Sequence, residues 1–250
     1  MKSVVLLLLI GLVTRSLAVD YCSKDLCGSS THIACNNTGD FAETCSSDRD
    51  LVEITVADRK AIVQHHNQLR NDMAAGKLEG FEQSPRMASM QWDAELAKLA
   101  ELNVKTCKFA HDACHNTVRF PYSGQNLGEL LSNFPHSATT RDMMISLIDS
   151  WWSEKKDTTM KEINEYPRNF NHVIGHFTVM AVEDNNRVGC AASTFRDPDV
   201  DNYYAFLFAC NYAKTNIING KTYSTGNAAS KCKTGSNRNF NSLCSIREKY

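Results

Sequence analysis

The chain has 250 residues, 27 Lys and Arg against 28 Asp and Glu, and ten cysteines. A formal charge of −1 without a long basic run argues against nucleic acid or an anionic membrane as partner. The length suits one or two domains with ample chain for a core, and an even cysteine count points to disulfides made in an oxidising compartment.

Residues 1–18 read MKSVVLLLLIGLVTRSLA. Lys2 supplies a charged start, Val4 to Val13 form an apolar run too short to span a bilayer, and Ser16 and Ala18 place small residues where signal peptidase cuts. The sequence predicts a signal peptide cleaved after Ala18, a secreted product and no membrane anchor. Cleavage removes Lys2 and Arg15 but no acid, which takes the formal charge from −1 to −3. Residues 19–50 are polar, with Cys22, Cys27, Cys35 and Cys45 and little periodicity, and read as an irregular arm. No CxxC spacing supports a zinc finger there. Asn36-Asn37-Thr38 is a glycosylation sequon at Asn36. Asp48-Arg49-Asp50 lacks the glycine of an Arg-Gly-Asp integrin loop.

From Val56 to Ala75, Ile62, Leu69 and Met73 fall on one helical face with His66 between them, and Gly76 ends the pattern. Adjacent helical residues point roughly 100° apart, so His65 and His66 read as one solvated and one core-facing ring rather than a metal pair. After a loop with Pro85, Asp93 reads as the N-cap of a second helix, whose stripe of Leu96, Leu99, Ala100 and Asn103 reaches Cys107. His111 follows in Cys107-Lys108-Phe109-Ala110-His111, and Ser123 to Glu129 reads as a turn entering the core. A third helix is predicted from about Thr139 to Lys156, burying Met144, Leu147, Ile148, Trp151 and Trp152. Glu154 at its C-terminal end opposes the helix dipole and asks for a positive or metal partner. Strand-like runs come at 176–182, 187–195 and 204–212, the first two joined as a hairpin at Asn185-Asn186. Residues 213–250 form a polar tail closed by Cys232 and Cys244. Three helices with segregated antiparallel strands argue for one α+β three-layer domain with extensions.

Two stretches, Asn171 to Val182 (NHVIGHFTVMAV) and Ala205 to Tyr212 (AFLFACNY), resemble the paired signatures of the CAP superfamily of cysteine-rich secretory, antigen 5 and pathogenesis-related proteins. Thr215-Asn216-Ile217 and the last two cysteines resemble its arthropod antigen 5 branch. The resemblance implies an α-β-α sandwich with an antiparallel sheet over 56–213, a stapled arm over 19–55 and an extension over 214–250. It implies the bridges Cys22–Cys35, Cys27–Cys114, Cys45–Cys107, Cys190–Cys210 and Cys232–Cys244, and a structural role for Asn67 and Arg70.

It also implies a central cleft bordered by His111, Glu154, His176 and the turn Gly124-Gln125-Asn126. Gln125 stands where an acid is usual; its amide can hydrogen-bond but cannot serve as a general base. Thr178-Val179 replaces the usual Thr-Gln. In several members the two histidines bind a divalent metal, so zinc is expected at most weakly held, with no cofactor required. A hydrolase built on His111, Glu154 and His176 is the poorest reading, because catalytic zinc usually has three protein ligands and Glu154 cannot easily be both ligand and base. The function implied is a secreted salivary or venom protein and allergen, monomeric, acting by binding a vertebrate host protein in immunity or haemostasis. The alternative is a carrier of a fatty acid, eicosanoid or sterol in a channel lined by Ile62, Leu69, Met144, Leu147 and Trp151, whose plainer role is core packing.

Overall fold

In the computed structural model, which describes residues 19–169, 171–197 and 199–250, the elements run α1 (Lys24–Cys27), β1 (Asp50–Leu51), α2 (Val56–Ala74), β2 (Gln91–Trp92), α3 (Ala94–Val104), β3 (Gly124–Ser132), α4 (Thr140–Ser153), α5 (Met160–Asn164), α6 (Gly175–Ala181), β4 (Arg187–Asp197) and β5 (Tyr203–Tyr212). The signal-peptide segment 1–18 lies outside the described residues.

Alternation along β5 sets the layering, since successive strand side chains point to opposite faces. Phe206, Phe208, Cys210 and Tyr212 join the apolar cluster that holds Ile62 of α2, Met144, Leu147 and Trp151 of α4, and Phe177 of α6. Ala205, Leu207 and Ala209 meet Ala100 and Val104 of α3 on the other face. The sheet runs β1-β4-β5-β3 with antiparallel pairing, and short β2 adds in parallel to β4. The result is the expected three-layer α-β-α sandwich. At Gly189 of β4, α3 lies so close that a Cβ would stand 2.2 Å from the Ala97 nitrogen and 2.4 Å from the Asp93 oxygen.

Side-chain caps shape the helices, the one at Asp93 as the sequence predicts. Thr55 and Asp58 form a capping box at α2, and the Asp93 carboxylate accepts from the Glu95 and Leu96 N–H groups at α3. Two expectations are corrected. Residues 176–182 are not a strand paired through a hairpin at Asn185-Asn186; Gly175–Ala181 is a short helix, and Phe177 to Ala181 are all buried. Gly124–Ser132 is not a turn but a nine-residue strand, paired along its length with β5.

Arg70 shows how much of α2 is structural. Its buried guanidinium donates to the carbonyls of Ala88, Met180, Val182 and Glu183, which ties α2 to the chain on either side. Asn67 exchanges both amide bonds with the backbone of Met90. The bridges are Cys22–Cys35, Cys27–Cys114, Cys45–Cys107, Cys190–Cys210 and Cys232–Cys244, the pairs that the resemblance implies. Asn36 of the sequon is exposed, with its backbone in the left-handed region (φ 54).

Candidate functional site

The start of β3 presents two consecutive amides to opposite faces of the sheet, and a histidine unit is built on each. On the α3 face, the Gln125 amide nitrogen donates to Asp112 Oδ2 at 2.7 Å and to Asn211 Oδ1 at 2.9 Å. Both of its hydrogens are thereby used, and its oxygen faces His111 Nδ1 at 2.8 Å. That oxygen can only accept, so His111 carries its proton on Nδ1 and offers a lone pair at Nε2.

Beneath it, Asp112 Oδ1 meets His115 Nδ1 at 2.7 Å, while His115 Nε2 faces the Gly124 carbonyl at 3.2 Å. Both His115 nitrogens therefore face acceptors, which holds the ring between Asp112 and the Gly124 carbonyl. Burial pushes the Asp112 carboxyl up, but the hydrogen bond and charge of His115, with the Gln125 and Asn103 amides, outweigh it and hold it below its ordinary value.

On the other face, Glu154 follows α4 directly. Its Oε1 lies 2.6 Å from His176 Nδ1, and its Oε2 accepts from the His176 and Phe177 backbone N–H groups at 2.9 and 3.1 Å. The positive partner that Glu154 needs at the end of its own helix is thus the N-terminus of α6, together with the ring it orients. Asn126 donates to the His176 carbonyl and to the Tyr212 hydroxyl. The His176 ring lies nearly parallel to Trp151, 6.2 Å between centroids.

His66 is buried behind this unit. Its Nδ1 donates to the Ile62 carbonyl at 2.8 Å, and its Nε2 accepts from the Tyr212 hydroxyl at 3.0 Å. Burial lowers its pKa to about 4, so the ring is neutral. His65, one residue earlier, is on the surface side and faces Asp149 at 2.6 Å, which is the division expected for an adjacent pair on a helix.

The sequence-derived set His111, Gln125, Glu154 and His176 thus falls into two hydrogen-bonded units joined through β3. Sequence reasoning missed Asp112, His115 and Asn211, which hold the His111 unit. The His111-Asp112-x-x-His115 spacing was the one available signal. Among the described residues no group of three or more His, Cys, Asp or Glu could hold a metal ion. Glu154 is committed through both oxygens and Gln125 through all its polar atoms, which leaves two imidazole nitrogens. That donor set falls short of the three ligands of a catalytic zinc. The channel candidates Ile62, Met144, Leu147 and Trp151 are buried side chains of one packed cluster, and Leu69 packs against it. A lipid between α2 and α4 would therefore have to displace core side chains.

With fold and site in place, the chain belongs to the CAP cysteine-rich secretory protein family, whose model matches residues 63–212. Within that family it is similar to insect venom allergens and antigen 5 proteins. It is 35% identical to Venom allergen-1 of Aedes aegypti, over 96% of this chain and 92% of that protein. It is 38% identical to the Antigen 5 like allergen Cul n 1 of Culicoides nubeculosus, over 76% of this chain and 90% of the other. A crystal structure of NaASP2 with Zn2+ shares the fold, with a TM-score of 0.60 and 20% identity over 76% of this chain and 96% of that one.

Proposed function

We propose that this chain is a secreted salivary or venom protein of the antigen 5 kind that acts on a vertebrate host by binding, not by turnover. The observation that favours this reading over a hydrolase with Glu154 as base is the commitment of that carboxylate: both oxygens are bound to His176 and the α6 backbone. The names of its relatives, allergens rather than enzymes, support a host-directed role. Five disulfides, and no helix among the described residues long and apolar enough to cross a membrane, support release outside the cell. Zinc, if held by these histidines, would be weakly bound, because neither unit offers the three protein ligands of a catalytic site.

The test is binding of the oxidised mature protein to vertebrate plasma and blood cells, alongside native mass spectrometry. Saturable binding to a host protein, kept in His176→Ala, supports the reading. Hydrolysis of ester or peptide substrates that vanishes in His176→Ala would overturn it in favour of an enzyme. A retained lipid mass that dissociates on activation would put the carrier alternative first.

A further inference from the structure

The near-zero total charge conceals a separation. Residues 214–250 hold seven Lys and Arg against one acid, Glu248, a formal charge of +6; residues 19–213 hold eighteen against twenty-seven, a charge of −9. Five of the seven cations, Lys231, Lys233, Arg238, Arg247 and Lys249, fall within residues 231–249, and all five are exposed. None of them makes an ion pair among the described residues, where Lys214–Asp184 and Arg86–Glu248 account for the tail's pairs.

The single acid is not available to neutralise this surface. Glu248 is buried and accepts from the Lys233 and Thr234 N–H groups, the Thr234 hydroxyl and Arg86. Burial works to raise its carboxyl, but these donors outweigh it and hold it at about 2. Together with the Cys232–Cys244 bridge and the Ser236–Cys244 backbone pairing, this carboxylate fixes the unit. A backbone fixed in this way holds the cations' attachment points in place and leaves only their side chains to be ordered on binding.

Arg238 and Arg247 border one groove of about 410 Å³, with Ser236, Asn237, Asn239 and Ser245 between them. Its lining includes one apolar residue, Ile246, and no aromatic ring. Single-stranded nucleic acid is gripped by aromatic stacking platforms, which the groove lacks, and membrane surfaces by an apolar face beside the cations, for which it offers the single side chain of Ile246. Hydroxyls, carboxamides and two guanidiniums instead match a polyanion rich in sulfate and hydroxyl groups. We propose that residues 231–249 are a binding site for a sulfated polysaccharide, the class of polyanion present where disulfide-bonded proteins reside. This site does not depend on the histidine units or on the host-binding reading.

The test is retention of the oxidised mature protein on immobilised heparin at about 0.15 M NaCl. With a net charge of −3 the protein as a whole is repelled by heparin, so retention requires a local site. Retention is expected, and Arg238→Ser with Arg247→Ser should elute at lower salt, with the slope of log affinity against log salt reduced by roughly two. Lys155→Ser with Lys156→Ser, which removes the same charge from an exposed site after α4, should elute with the parent. Failure of the parent to bind, or equal weakening by both double variants, would overturn the proposal. Equal or tighter binding to phosphatidylserine vesicles or to single-stranded DNA would overturn the assignment to polysaccharide.

Discussion

Two carboxylate–histidine pairs sit on either side of β3, and they are built for different purposes. Asp112 and His115 are nearly sealed, with side-chain exposures of 3% and 10%, and every nitrogen and oxygen of the pair has an internal partner. Glu154 and His176 are more open, at 15% and 25%, and only Nδ1 of that ring is engaged. The same two residue types therefore give a sealed structural pair in one place and an oriented imidazole with an unengaged nitrogen in the other. What the second ring nitrogen faces decides which.

The contrast can be broken by substitution. Asp112→Ala removes the buried carboxylate and takes one internal hydrogen bond each from His115, Gln125 and Asn103. A loss of about 3–5 kcal/mol is expected in chemical denaturation, and a loss under 1 kcal/mol would show the pair to be dispensable. A third histidine gives the pH-dependent case. His66 titrates at about 4 in the fold and near 6.5 when unfolded, so the unfolded chain takes up the proton first. Its contribution to stability is intact above pH 6.5 and falls by about 3 kcal/mol as pH drops towards 4. Thermal unfolding of His66→Gln, which keeps a donor and an acceptor, should lack that slope.

Smaller effects sharpen the comparison. Gln125→Glu replaces the donor to Asp112 by a second carboxylate; it should cost about 1–3 kcal/mol at neutral pH and regain part of that on acidification. Equal stability at pH 7 would mean that the amide is not selected by its neighbour. Glu154→Gln gives up the charged cap of α6, a loss of about 1 kcal/mol. Host binding should survive it, whereas loss of binding without loss of stability would place Glu154 in the recognition surface.

Much of this architecture is legible in the chain itself. The caps at Thr55 and Asp93, the stripes of α2, α3 and α4 and the alternation of β5 are local patterns, and local physics suffices for them. His176 to Val182 misleads because a short helix buried all round leaves an unbroken apolar run, which periodicity cannot tell from a strand. Gly124–Ser132 misleads in the opposite sense. Two glycines and a glutamate are poor strand formers, and nine residues of pairing with β5 override that preference. Gln125 and Glu154 were visible as side chains of interest. Of their partners only the two histidines stood out, since Asn211 lies 86 residues from Gln125 and the α6 backbone 22 or more from Glu154. Total charge misled most simply, by adding a basic tail to an acidic body.

The long-range bridges of the arm carry a consequence for biogenesis. Cys27 and Cys45 are made 87 and 62 residues before the cysteines they join, so each emerges from the ribosome as a thiol whose partner does not yet exist. Cys22 and Cys35, only 13 apart, can close at once. Until α3 and the loop beyond it are synthesised, the two waiting thiols are free to trap each other. Maturation should therefore pass through thiol exchange, on a scale of seconds to hours, and yield of the native form should depend on a disulfide isomerase more than on the intrinsic speed of the helices and sheet.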